Sequence, residues 1–157
     1  MPEVLAAIRP GIQDFALLLH LVGATVVFGA LLASASSIVL ARGDNRLLRL
    51  GYYSLLLVAL PGLILLRLAG QWLYDLQKWD DLPSQFARPD WLDIGFIVAD
   101  WGGILFLVAL ILGGIGVRRL STDKKNATLL LQVTMAISVI LIVAYVVAVW
   151  AMTGKPS

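Results

Sequence analysis

Apolar residues in this chain fall into four long runs separated by short polar segments, with no alternating pattern and no polar stripe at helical spacing. The first run extends from about Phe15 to Leu40 and carries no Asp, Glu, Lys or Arg. The second, about Leu50 to Leu73, holds Pro61 in its middle and Arg67 toward its far end. The third, about Ile94 to Val117, contains Asp100, and the fourth, about Leu129 to Met152, is uncharged. Each exceeds the roughly 18 residues that mark a membrane span, and none offers the polar face that a helix of a soluble bundle needs. The pattern predicts an all-α fold, an antiparallel bundle of four transmembrane helices with both termini on one side. Residues 1–157 would form a single membrane domain, with an interfacial loop at about 74–90. Arg9 and Ala33-Ser34-Ala35 resemble the flanks of a cleaved signal peptide. The apolar run between them is longer than the roughly 7–15 residues of a signal core, so a retained helix is expected.

Composition agrees: 60% of residues are hydrophobic and 14% charged, against about 45–50% and about 25% in soluble domains. The absence of cysteine excludes disulfides, iron–sulfur clusters and thiolate metal sites. A single histidine excludes any centre that takes two histidines from one chain, including a bis-histidine haem. Loop charge sets an expected orientation. Arg42, Arg46, Arg49, Arg118, Arg119, Lys124 and Lys125 lie on one side, against Arg9, Lys78, Arg88 and Lys155 on the other. Asp75, Asp80, Asp81, Asp90 and Asp93 accompany the second group. The seven-to-four bias points the short loops to the cytoplasm and the termini outward. Trp72, Tyr74, Trp79, Phe86 and Trp91 suit headgroup level, and the nearby aspartates lack the ligand spacing and turn glycine of a calcium loop.

Three ionisable residues stand inside the runs. His20, Arg67 and Asp100 each lie about five or six residues from the outer end of their span, roughly 7–9 Å deep at 1.5 Å per residue. Charges there are costly unless paired. The expectation is an Arg67–Asp100 ion pair, with His20 bonding to either, and Trp101 and Tyr145 lining an apolar cleft beside them. A purely structural account remains open: Arg67 snorkelling to the headgroups, Asp100 as a cap or tether, His20 satisfying a backbone carbonyl or hydroxyl. Thr134, Ser138, Tyr145 and Met152 share a stripe expected to face inward. Gly29 and Ala33 form a small-residue pair expected to pack within the bundle, as does Gly113-Gly114-Ile115-Gly116. Pro61 predicts a kink.

His20-Leu21-Val22-Gly23, Phe28-Gly29 and the closing Trp150-Ala151-Met152-Thr153-Gly154-Lys155-Pro156 together resemble a family of uncharacterised bacterial four-helix integral membrane proteins. That family is distantly similar to the membrane domain of the copper-resistance protein D (CopD) group. The resemblance implies a prokaryotic plasma membrane and a redox or metal connection. Copper transport itself fits poorly, because soft copper sites use Cys, Met and His. Here Met1, Met135 and Met152 are scattered.

The functional expectation is a binding or accessory subunit that holds a lipid-soluble ligand, a quinone, haem or lipid, at the outer polar cluster. One alternative is a structural subunit of a larger membrane complex or homo-oligomer. A second is a small transporter or proton conductor, against which the fourth run and the inner halves of all the spans are expected to lack the polar residues of a path across the core. No nucleophile–base pair, phosphate loop or metal cluster points to an enzyme. The basic residues border the membrane, where they suit anionic lipid rather than nucleic acid.

Overall fold

Four helices form as expected: α1 (Ile12–Leu40), α2 (Asn45–Leu76), α3 (Asp90–Arg119) and α4 (Lys124–Gly154). The computed structural model describes residues 11–78 and 90–154; residues 79–89, most of the expected interfacial loop, lie outside them, and positions 74–76 extend α2. Each helix is longer than its apolar run because polar residues supply its end turns. Asp14 stands in the first turn of α1, Asp90 and Asp93 in that of α3, and Arg118 and Arg119 in its last turn. Each sign complements the helix dipole where it sits. Asp44 caps α2 by accepting from the Arg46 N–H at 2.8 Å. Asp123 does the same for α4, accepting from the Asn126 N–H at 3.2 Å. Between α1 and α2 the chain turns through Arg42 and Gly43, at φ 41° and 95°.

At 29 to 32 residues the helices measure about 44–48 Å. They outreach a hydrocarbon core of about 30 Å, and their ends stand at headgroup depth. Their outward faces are apolar, with Leu18, Val39, Leu57, Leu68, Ile111 and Val143 all exposed. A surface of that kind is stable only in lipid, and the chain is a multi-pass membrane protein.

Pro61 acts through the turn before it. Leu55–Ala59 is π-helical, with the Leu60 N–H bonded to Leu55 O. Proline has no N–H to give, and its ring crowds the carbonyl four residues back. The wider turn relieves that crowding, and Pro61 falls in the first turn of the resumed α-helix Leu60–Leu76.

Helix α1 packs against α2 and α4, and α3 packs against α4. Helices α2 and α3 meet closely only at the start of α2, in Asn45–Ser54; the Leu60–Leu76 half stands away from α3. Glycines explain this asymmetry. Gly113 on α3 receives the Tyr52 ring, which would stand 2.8 Å from an added Cβ, and Thr134 of α4 would stand 3.3 Å from the same Cβ. A Cβ on Gly23 of α1 would come within 2.7 Å of the Leu66 backbone nitrogen of α2. Close approach of this kind maximises dispersion where lipid supplies no hydrophobic drive.

Val27, Leu31, Leu55, Phe106 and Leu141 form the central core, and Ile38, Leu48, Leu120 and Leu131 a second cluster. Thr134 and Ser138 face inward, fully buried, and donate to Leu130 O and Thr134 O of their own helix. Met152 also faces inward, its methyl against Gly95. The expectation for Gly29 and Ala33 fails. Both are exposed, and an added Cβ on Gly29 meets nothing within 4 Å. The small residues that α1 buries are Ala16, Gly23, Ala30, Ser34 and Ala35.

Candidate functional site

The end of the bundle formed by the start of α1, the end of α2, the start of α3 and the end of α4 carries Asp14, Asp75, Asp90 and Asp93, and is the acidic end. Counted from helix midpoints, His20, Arg67 and Asp100 stand about 7–10 Å toward it, which keeps them inside a hydrocarbon core of about 30 Å.

Arg67 Nη2 and Asp100 Oδ1 are 2.6 Å apart, a direct charge-assisted bond between α2 and α3. It crosses the seam where these helices do not pack closely. Nearer the acidic end, the Tyr74 and Phe96 rings cross the same seam edge to face at 5.3 Å. The ion pair is not enclosed: the Arg67 and Asp100 side chains are 49% and 56% exposed. One turn along α3 from Asp100, Gly103 leaves open space, with nothing within 4 Å of an added Cβ, while its neighbour Gly102 is buried against Leu141. The seam thus presents a guanidinium and a carboxylate to the hydrocarbon, with the unfilled position of Gly103 one turn away.

His20 is placed beside this pair but not in it. Its Nδ1 lies 3.2 Å from Leu66 O; since a carbonyl only accepts, Nδ1 carries the hydrogen. The ring lies on Gly70, where an added Cβ would stand 3.0 Å from Nδ1. The His-x-x-Gly spacing therefore has a packing meaning, with Gly23 admitting the Leu66 backbone and His20, one turn earlier, bonding its carbonyl. The expected bond from His20 to Arg67 or Asp100 is not formed. Helix α1 occupies the face of α2 marked by Gly62, Leu66 and Gly70, at four-residue intervals. Arg67, one residue on and about 100° round the helix, projects to the α3 side instead.

The remaining expected members disperse. Trp101 points outward and is 66% exposed. Tyr145 packs against the central core. Gln71, one turn beyond Arg67 on α2, is turned away from the pair as well and donates to Asp75 Oδ1 at 2.9 Å. Among the described residues no three His, Cys, Asp or Glu side chains gather to hold a metal. The inner half holds a polar residue that sequence reading passed over. Gln132 stands exposed on α4 and makes no hydrogen bond among the described residues. Its signal in the sequence is the one amide of the fourth run, one turn beyond Thr128 and off the Thr134–Ser138 stripe.

Compared with family descriptions, curated proteins and solved structures, the chain matches none.

Proposed function

We propose that this protein is a binding or accessory membrane protein that holds a lipid-soluble molecule by its polar head at the α2–α3 seam, with a quinone, a haem or a lipid as the ligand class. The observation that carries this reading is a half-exposed Arg67–Asp100 pair at hydrocarbon depth. Ionisable groups at that depth usually face protein, water or a ligand rather than lipid tails, and this pair has open sides. A ligand carbonyl, carboxylate or phosphate oxygen would meet the remaining guanidinium N–H groups, and a ligand donor the free lone pairs of Asp100. Gly103, one turn from Asp100 and without a side chain, would leave the body of the molecule unobstructed on that side. In this reading His20 braces α1 against α2 behind the pair, and Trp101 flanks the seam on its lipid side.

The seven basic residues of the short loops support a cytoplasmic position for the basic end; in that orientation the seam would lie in the outer leaflet. A bacterial plasma membrane, and kinship with the copper-resistance protein D group, rest on the motif resemblance alone. An assembly role is the second reading, favoured by the same open sides of the pair, which a helix of another subunit would cover.

The test is to purify the protein in mild detergent, record its absorption spectrum, and identify extracted molecules by mass spectrometry. Wild type is compared with Arg67→Gln/Asp100→Asn, which removes both charges and leaves a shorter polar side chain at 67 and an isosteric one at 100. The expected result is a molecule that co-purifies with wild type and is depleted in the double variant. Equal content in the two, or co-purification of a protein partner alone, overturns the ligand reading.

A further inference from the structure

At the opposite, basic end, the exit turn of α1, the start of α2 and the first turns of α4 enclose a groove of about 290 Å³. Ile38, Arg42, Leu48, Thr128, Gln132 and Met135 are among its walls. A wider groove of about 620 Å³ continues along α4, sharing Thr128 and Gln132 and adding Lys124 and Lys125.

Polarity in this groove falls with depth. Lys124, Thr128 and Gln132 are spaced four apart, one face of α4. The charged groups Arg42, Lys124 and Lys125 are at the mouth, and Ile38, Leu48 and Met135 are apolar. Gln132 is about 10 Å from the α4 midpoint, and so about 5 Å inside a hydrocarbon core of about 30 Å. A bare amide at that depth lacks water to bond, and it has no protein partner among the described residues. The local charge is also strongly positive, seven basic residues against two acidic ones. The two acidic residues at this end, Asp44 and Asp123, are committed to capping α2 and α4. None of the seven basic residues there is ion-paired among the described residues.

We infer that this groove is a site for one anionic phospholipid of the adjacent leaflet. Its phosphate sits among Arg42, Lys124 and Lys125, its glycerol ester oxygens accept from the Gln132 amide, and its acyl chains begin on Ile38 and Met135. A phospholipid has this order of groups along its length, from charge through ester to hydrocarbon. A free phosphate ion would use the mouth alone, leaving Gln132 bare. The site is separate from the α2–α3 seam and stands whether or not that seam binds a ligand.

Native mass spectrometry of the full chain in detergent tests this, with titrations of dioleoylphosphatidylglycerol, dioleoylphosphatidylcholine and inorganic phosphate. The expected result is one phosphatidylglycerol bound preferentially over phosphatidylcholine. Arg42→Gln weakens it about fivefold, the equivalent of one basic contact at a membrane surface. Gln132→Leu, which removes no charge and keeps an exposed helical position, also weakens it severalfold. Arg49→Gln removes the same charge away from the groove and leaves binding within about twofold, since diffuse surface attraction is shared by the remaining basic groups. Equal weakening by Arg49→Gln and Arg42→Gln, no effect of Gln132→Leu, equal binding of the two lipids, or full displacement by inorganic phosphate would each overturn the assignment.

Discussion

Arg67 and Asp100 bridge two helices whose backbones stand apart in this half of the bundle, through a 2.6 Å contact whose side chains remain about half exposed. The seam opens here because the glycines that let helices touch are elsewhere. Gly23 draws α2 onto α1, and Gly113 draws the Tyr52 ring onto α3 at the basic end. Pro61 and its preceding π-turn separate the two halves of α2, one packed on α3 and the other bridged to it by side chains.

The glycine account separates two substitutions that look alike in sequence. Gly23→Ala forces a methyl group to within 2.7 Å of the Leu66 nitrogen. It should destabilise the protein by about 1–3 kcal/mol, the usual cost of overpacking against an element that cannot yield. Gly29→Ala meets open space and should be neutral or stabilise by up to about 1 kcal/mol through helix propensity. Thermal unfolding of both in one detergent checks this; equal effects would mean that α1 is rotated from the orientation described.

His20 is a bracing residue by its contacts, and His20→Leu should behave accordingly. Loss of one hydrogen bond to Leu66 O should lower stability by about 1 kcal/mol, and whatever co-purifies at the seam should be retained. Loss of that molecule with unchanged stability would instead place His20 among its contacts.

These cases show what a greasy sequence reveals and what it hides. Depth along a span is legible by counting, so two opposite charges at one level, Arg67 and Asp100, could be paired before any coordinates. Rotation about the helix axis is not legible. Alpha1 is apolar almost all round and carries no stripe to mark its inner face, so Gly29 and Gly23 looked equivalent and His20 could be aimed at either neighbour. The bond that His20 makes is to a backbone carbonyl, a partner present at every residue and therefore signalled by none. Gln132 is uncharged and so is not marked by counting charges along the spans, although an exposed amide at that depth lacks water to bond.

The loop charges make a topological prediction. Ser121 is exposed at the basic end and Thr153 at the acidic end. Single cysteines at these positions should differ toward an impermeant thiol reagent in intact cells, with Thr153→Cys labelled and Ser121→Cys protected until the membrane is opened. The reverse pattern would invert the orientation.

Acid should act on the α4 cap. The Asn126 side chain and then its backbone N–H bond the Asp123 carboxylate, holding its pKa below the usual 3.8, with Arg119 adding to the effect. A carboxyl with a lowered folded pKa stabilises the fold above its unfolded value, and that contribution disappears as pH falls through the lowered one. Asp123→Ala should therefore melt below wild type at neutral pH, and the gap should persist to about pH 4 and close below it. A gap unchanged at the lowest pH would mean that the ionised carboxylate contributes nothing to the cap.

The most direct test of the account is the Arg67–Asp100 double-mutant cycle, with Arg67→Gln, Asp100→Asn and the double variant, read as thermal stability in lipid nanodiscs. A lone charge left at hydrocarbon depth has no partner. Each single variant should therefore lose more stability than the double, with a coupling of about 1–2 kcal/mol. Additive effects with no coupling would show that the two side chains act separately in the membrane, and would contradict the α2–α3 bridge on which the proposed site depends.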